Sequence, residues 1–163
     1  MAPPDVRTAV WAQTFPAQPE QVRQARKSLA RSLDGCPAAE DAVACLSELA
    51  ANAVTHSRSA QPGGTFTVCA GLTSAGRLRV EVTDQGGPWT QPATTDGQHG
   101  RGLLIVRQLA HDFGSSSDNR TSRTVWFELT CPCAIPPGTR AAPPTQHLCA
   151  PQARLATPGE NQP

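Results

Sequence analysis

The stretch from Thr65 to Asp84 constrains this chain more than any other. Thr65 to Leu72 alternates, with Phe66, Val68, Ala70 and Leu72 falling on one side. Ser74-Ala75-Gly76 then supplies a turn. Arg77 to Asp84 alternates again, with Leu78, Val80 and Val82 on one side and Arg79 and Glu81 on the other. A period of two means extended backbone with one apolar face, and two such runs around a short glycine-containing turn predict an antiparallel hairpin. A sheet with one apolar face has to bury it under a second layer.

The second layer is legible upstream. From Gln18 to Leu33, Val22, Ala25, Leu29 and Leu33 recur at helical spacing, with Arg23, Lys27 and Arg31 on the outer side. Gly35 and Pro37 close that helix. A second helix is expected over about Ala38 to His56, its buried stripe being Ala42, Cys45, Leu46, Leu49, Ala50 and Ala53. Val6 to Phe15 reads as a first strand and Ser57 to Gly64 as a loop. Gln85 to Gly100, almost without aliphatic residues, reads as a mobile loop. Gly102 to His111 is a short apolar helix, Asp112 to Ser117 a brief strand, and Arg123 to Thr130 the last strand. The expected architecture is an α/β two-layer sandwich: a mixed, mostly antiparallel sheet with helices on one face. Residues 6–130 form the domain. Residues 131–163, where prolines recur without an apolar period, are expected to be a proline-rich disordered tail.

The 163 residues suit one domain with a real core. A net charge of +1 gives no basic surface for nucleic acid, so direct nucleic-acid binding is not expected. The longest apolar run, Leu103-Leu104-Ile105-Val106, is far short of a membrane span. The first residues show no basic start followed by an apolar stretch, so a cytoplasmic location and reduced thiols are expected for the six cysteines. Cys45 and Cys69 read as small core residues. Cys131-Pro-Cys133, with His147 and Cys149, matches no standard zinc spacing.

Three clusters carry chemistry. Glu48, Asn52 and His56 are four apart and project from nearly one side of their helix. A carboxamide oxygen suits a hard cation such as Mg²⁺, which takes few ligands from protein. A carboxylate one turn away can orient or deprotonate a nucleophile. Asp84, at the end of a buried strand and followed by Gly86 and Gly87, can meet a flat ligand closely and accept from an exocyclic amine. Gly97 to Leu103, ahead of an apolar helix, exposes backbone N–H groups to an anion at the positive helix end, and Arg101 adds a cation. Each cluster alone has a plain alternative: a solvated helix face, a strand-ending turn, a flexible loop.

Together, in this order, they resemble the GHKL (Bergerat-fold) ATP-binding superfamily over roughly residues 6–130. Glu48-x-x-x-Asn52-Ala53 is similar to its N box, Asp84-x-Gly86 to its G1 box and Gly100-x-Gly102-Leu103 to its G2 box. Thr124 is similar to the threonine on the last strand that supports adenine recognition. Size and glycine spacing are most similar to the anti-sigma-factor serine/threonine kinases. That resemblance implies ATP and Mg²⁺ as cofactors. It implies Asn52 as the Mg²⁺ ligand, Glu48 as general base and Asp84 on the adenine amine, with Gly86 and Thr124 assisting. Gly100, Arg101, Gly102 and Leu103 would lie at the phosphates, and residues 85–99 would form a lid. His56 either closes its helix or joins the site. The implied partners are a sigma factor and a small anti-sigma antagonist protein that receives the phosphoryl group, with a homodimer as the assembly.

The sequence departs from the pattern at Pro88, where the fuller G1 box has glycine, and at the bulky Arg101 between glycines. Two other readings stand beside the kinase: a non-catalytic module that binds ATP to order a partner surface and so regulates transcription, and the catalytic domain of a two-component histidine kinase. The last lacks room here for a helical dimerisation domain.

Overall fold

The computed structural model describes residues 6–73, 76–87, 101–117 and 121–131. In chain order these give β1 (Val6–Pro16), α1 (Pro19–Ser32), α2 (Ala39–His56), a 3-10 turn (Arg58–Ala60), β2 (Thr65–Thr73), β3 (Arg77–Asp84), α3 (Arg101–Leu109), β4 (Asp112–Ser117) and β5 (Arg123–Thr130). The five strands form one sheet in the order β1-β2-β3-β5-β4, and every described pairing is antiparallel. The sheet, expected to be mostly antiparallel, is antiparallel at every described pairing. Among the described residues no helix is long and apolar enough to cross a membrane.

Local sequence explains each helix. Pro19 stands in the first turn of α1 with Glu20 beside it, and Arg31 lies in the last turn, so fixed φ and charge both suit the helix ends. Gly35 follows at φ 76°, a left-handed conformation that ends the helix without a Cβ penalty. α2 opens with Glu40 and Asp41 and buries Ala42, Cys45, Leu46, Leu49, Ala50 and Ala53, the predicted stripe.

Ala25 and Leu29 of α1, the α2 stripe and Val106 of α3 meet one face of the sheet in a single core. The sheet supplies Phe66, Val68 and Ala70 of β2, Leu78, Val80 and Val82 of β3, and Phe127 and Leu129 of β5. Phe15 and Phe66, opposite each other in the β1–β2 register, stack at 5.4 Å. The helices thus cover the face that the alternation marked as apolar.

Two residues of the other face bear on the sequence reading. Arg79, predicted to point outward, does so and is still only 4% exposed. Its guanidinium lies 3.8 Å from the Trp126 ring centre, and it donates to Glu81 (2.7 Å) and Glu128 (3.1 Å). Cation–π contact and two carboxylates cover it. Cys69, expected in the core, sits between Val68 and Ala70 and pairs with Glu81 on that same outer face, half-buried. The period of two decides this against its apolar character. Cys45, by contrast, is fully buried.

Candidate functional site

The end of β3 is closely tied to its surroundings. Asp84 ends the strand with its side chain 2% exposed. Its Oδ1 accepts from the Gly86 N–H at 2.7 Å, an Asx turn that ends the strand. Gly86 has φ 67°, where any other residue would be strained. Sequence reading gave Gly86 the role of making room. Among protein atoms, the nearest a Cβ there would meet, those of Ser122, begin at 3.5 Å, so within the chain itself the backbone sign alone requires the glycine.

α2 is hooked onto this strand end. The Ser57 hydroxyl donates to the Ala53 carbonyl at 2.6 Å and accepts from the Ser59 N–H at 3.0 Å. Fully buried Ser59 donates to the Thr65 carbonyl (2.7 Å) and accepts from the Gln85 N–H (2.9 Å). The Arg58 N–H donates to the Gly86 carbonyl at 2.7 Å. These bonds fix the C-terminal end of α2 beside Asp84. Glu48 and Asn52, both half-buried, belong to that half of the helix, and His56 is its exposed last residue. Sequence reading took residues 57–64 as a plain loop. Ser57-x-Ser59, two hydroxyls able to bond the local backbone, was the signal for its structure.

The orientation of α3 follows from the opposite pole. A cavity there is lined by Ala38 and Asp41 at the start of α2, Leu109 and His111 at the end of α3, and Leu129 of β5. Since α2 and α3 also pack on each other, they run antiparallel. The N-terminus of α3 is directed toward the half of α2 that carries Glu48 and Asn52. Arg101 and Gly102 open α3, and Leu103, in the same turn, is half-buried. Gly97 and Gly100, like most of the expected lid, lie outside the described residues.

The register of β3 on β5 revises one assignment. Thr83 pairs with Thr124 and Asp84 with Arg123. The two threonine hydroxyls bond at 2.8 Å, and alternation puts them on the sheet face away from the helices. The residue beside Asp84 is Arg123. Its Nε and Nη2 donate to Asp84 Oδ2 at 3.2 and 2.7 Å, with its own side chain 7% exposed. Sequence reading missed Arg123, because an arginine opening a strand carries no signal of burial. Burial pushes the Asp84 carboxyl above its ordinary value, against the pull of Arg123 and the Gly86 N–H.

Toward a cation the donor set is sparse. Among the described residues no group of three His, Cys, Asp or Glu could hold a metal. One carboxamide oxygen, from Asn52, fits an ion whose remaining ligands come from phosphates and water.

The model of the histidine kinase-like ATPase domain family matches residues 15–129, a span holding every candidate site residue. The crystal structure of the RsbU and RsbW domains of Rv1364c from Mycobacterium tuberculosis superposes with a TM-score of 0.53 at 19% identity, over 74% of this chain and 32% of that one. The chain thus spans about a third of that neighbour's length, and the likeness is one of fold. No curated protein matches the chain.

Proposed function

Because the chain belongs to the histidine kinase-like ATPase domain family, we propose that it binds ATP with Mg²⁺ at the end of β3. We further propose that it works as an anti-sigma-factor-type serine/threonine kinase on a small antagonist protein, with a sigma factor as its other partner. The observation that carries the reading is the Asp84 turn: a buried acceptor at a strand end, hydrogen-bonded through Gly86 and hooked to the end of α2. Asp84 accepts from the adenine amine. Asn52 holds Mg²⁺, which neutralises phosphate charge when bound. The N-terminus of α3, with Gly100, Arg101, Gly102 and Leu103, receives the phosphates. Thr124, on the other face, is assigned no contact with the base.

In the proposed reaction the γ-phosphoryl group passes from ATP to a serine or threonine hydroxyl of the antagonist. Glu48 takes the hydroxyl proton and ADP leaves. Positioning and charge neutralisation supply most of the rate in such transfers.

Two measurements test this. ATP–Mg²⁺ raises the thermal midpoint, since ligand at a hundredfold excess over Kd stabilises by about 2.7 kcal/mol. Labelled γ-phosphate then reaches an antagonist-like protein, and Glu48→Gln lowers that rate at least a hundredfold. No midpoint shift refutes nucleotide binding. A shift without transfer to any candidate supports the alternative, an ATP-ordered interaction module without turnover.

A further inference from the structure

The Asp84–Arg123 pair has a consequence for which base the site accepts. An ionised carboxylate offers about four acceptor positions, two on each oxygen. Arg123 Nε and Nη2 occupy both positions on Oδ2. The Gly86 N–H occupies one on Oδ1. One position is left. Adenine presents a single N–H donor from its exocyclic amine beside an acceptor nitrogen, whereas guanine presents two parallel donors, N1–H and N2–H, that together need both oxygens of a carboxylate. A carboxylate held by Gly86 alone could face guanine with both oxygens. Clamped by Arg123, it can serve only one donor.

We propose that Arg123 is a specificity-determining residue that restricts the site to adenine by occupying Oδ2 of Asp84. This rests on the ATP-binding reading and goes beyond it, since it assigns discrimination to a residue of the last strand that contacts Asp84 directly. The geometry is built for that task. The two residues are register partners, so the backbone ladder sets their spacing. Both side chains are buried, which holds the guanidinium fork in one orientation.

The test compares ADP and GDP, each with Mg²⁺, by calorimetric titration of the wild-type full chain, Arg123→Met and Arg123→Lys. The wild type prefers ADP by at least a hundredfold. Arg123→Met frees Oδ2, and the preference falls at least tenfold through tighter GDP binding. Arg123→Lys keeps the charge with a single point donor and gives an intermediate ratio, which preserves the test if the methionine variant folds poorly. A purely structural ion pair would weaken both nucleotides together and leave the ratio alone, and that result overturns the proposal. A wild type that binds neither nucleotide overturns the ATP-binding reading instead, and this inference with it.

A separate observation lies at the opposite pole. The Cys36 and Cys131 sulfurs are 3.3 Å apart, neither is in a disulfide, and both residues are half-buried. We infer that the two form a disulfide under peroxide. One thiol loses its proton and is oxidised at sulfur to a sulfenic acid, that proton leaving with the peroxide hydroxide as water, and the second thiol displaces the sulfenic oxygen as another water, so two thiols and one peroxide give one disulfide and two waters. The bridge closes a loop over a sequence separation of 95 residues and joins the turn before α2 to the point where the chain leaves β5. In the test, the full chain is treated with equimolar hydrogen peroxide and mapped by peptide mass spectrometry. A Cys36–Cys131 cross-link, with a midpoint raised by roughly 10 °C, supports the inference. Its replacement by a bridge to Cys133, or by sulfinic acid on either thiol, overturns it.

Discussion

Asp84→Asn tests the structure and the function in one substitution. In the native chain the carboxylate and the guanidinium meet at 2.7 Å with side chains 2% and 7% exposed. An asparagine there can still accept from the Gly86 N–H, but it turns a neutral amide toward Arg123. Removing one partner of a buried pair costs about 3–5 kcal/mol, because the remaining charge stays desolvated without its counterion. Retention of the Gly86 bond and the close isosterism put the expected loss near the lower end, about 3 kcal/mol. In a chain of this size that is a fall in Tm of roughly 6–12 °C. Arg123→Met alone leaves the carboxylate without its cation and should cost a similar amount, about 3 kcal/mol. The double variant replaces the pair by a neutral amide and an apolar chain, so its loss should fall well short of the sum. The coupling read from a double-mutant cycle in urea should be at least about 1.5 kcal/mol. Additive losses would mean that the two side chains do not meet in solution, and the account of the strand end would be refuted. The same proteins then report on the ligand: Asp84→Asn keeps an oxygen acceptor but loses the carboxylate charge and the Arg123 clamp, so it blunts the ATP-dependent midpoint shift even in conditions where it remains folded.

Three further outcomes are expected. Ser59→Ala removes both the donor to Thr65 and the acceptor for Gln85 at a fully buried position. It should cost about 2–3 kcal/mol in urea unfolding, from two stranded backbone groups, and should weaken the ATP-dependent shift. Gly64→Ala should destabilise by at least 2 kcal/mol, since a Cβ there would run into the Ser59 carbonyl, a backbone atom with little freedom to yield. Burial, then the charges of Asp41 and Glu48, push the Cys45 thiol up to about 11 from 9.0. The native state therefore keeps a proton that the unfolded chain releases near pH 9, so this contribution is complete below pH 9 and is lost as pH rises through about 11. The loss is at most about 2.7 kcal/mol. Alkaline unfolding should flatten in Cys45→Ala.

Periodicity determined much of this protein. The alternation of residues 65–84 became β2 and β3 with the predicted inward set, and the stripe from Ala42 to Ala53 became the buried side of α2. Glycine and proline marked the ends of α1, as helix-terminating residues do whatever surrounds them. These are short-range facts, set by backbone geometry and by the exclusion of apolar surface from water, and each residue states them locally. The candidate Asp84 turn was legible for the same reason, since Asp-x-Gly bonds within itself. What only the tertiary structure decided is which strands neighbour one another and in what register. That pairing put Arg123 rather than Thr124 beside Asp84, buried Arg79 under Trp126, and brought Cys36 to Cys131. Each is a contact between residues distant in sequence. A one-residue change of register would give each of these residues a different partner, and no local pattern along the chain records which partner it meets.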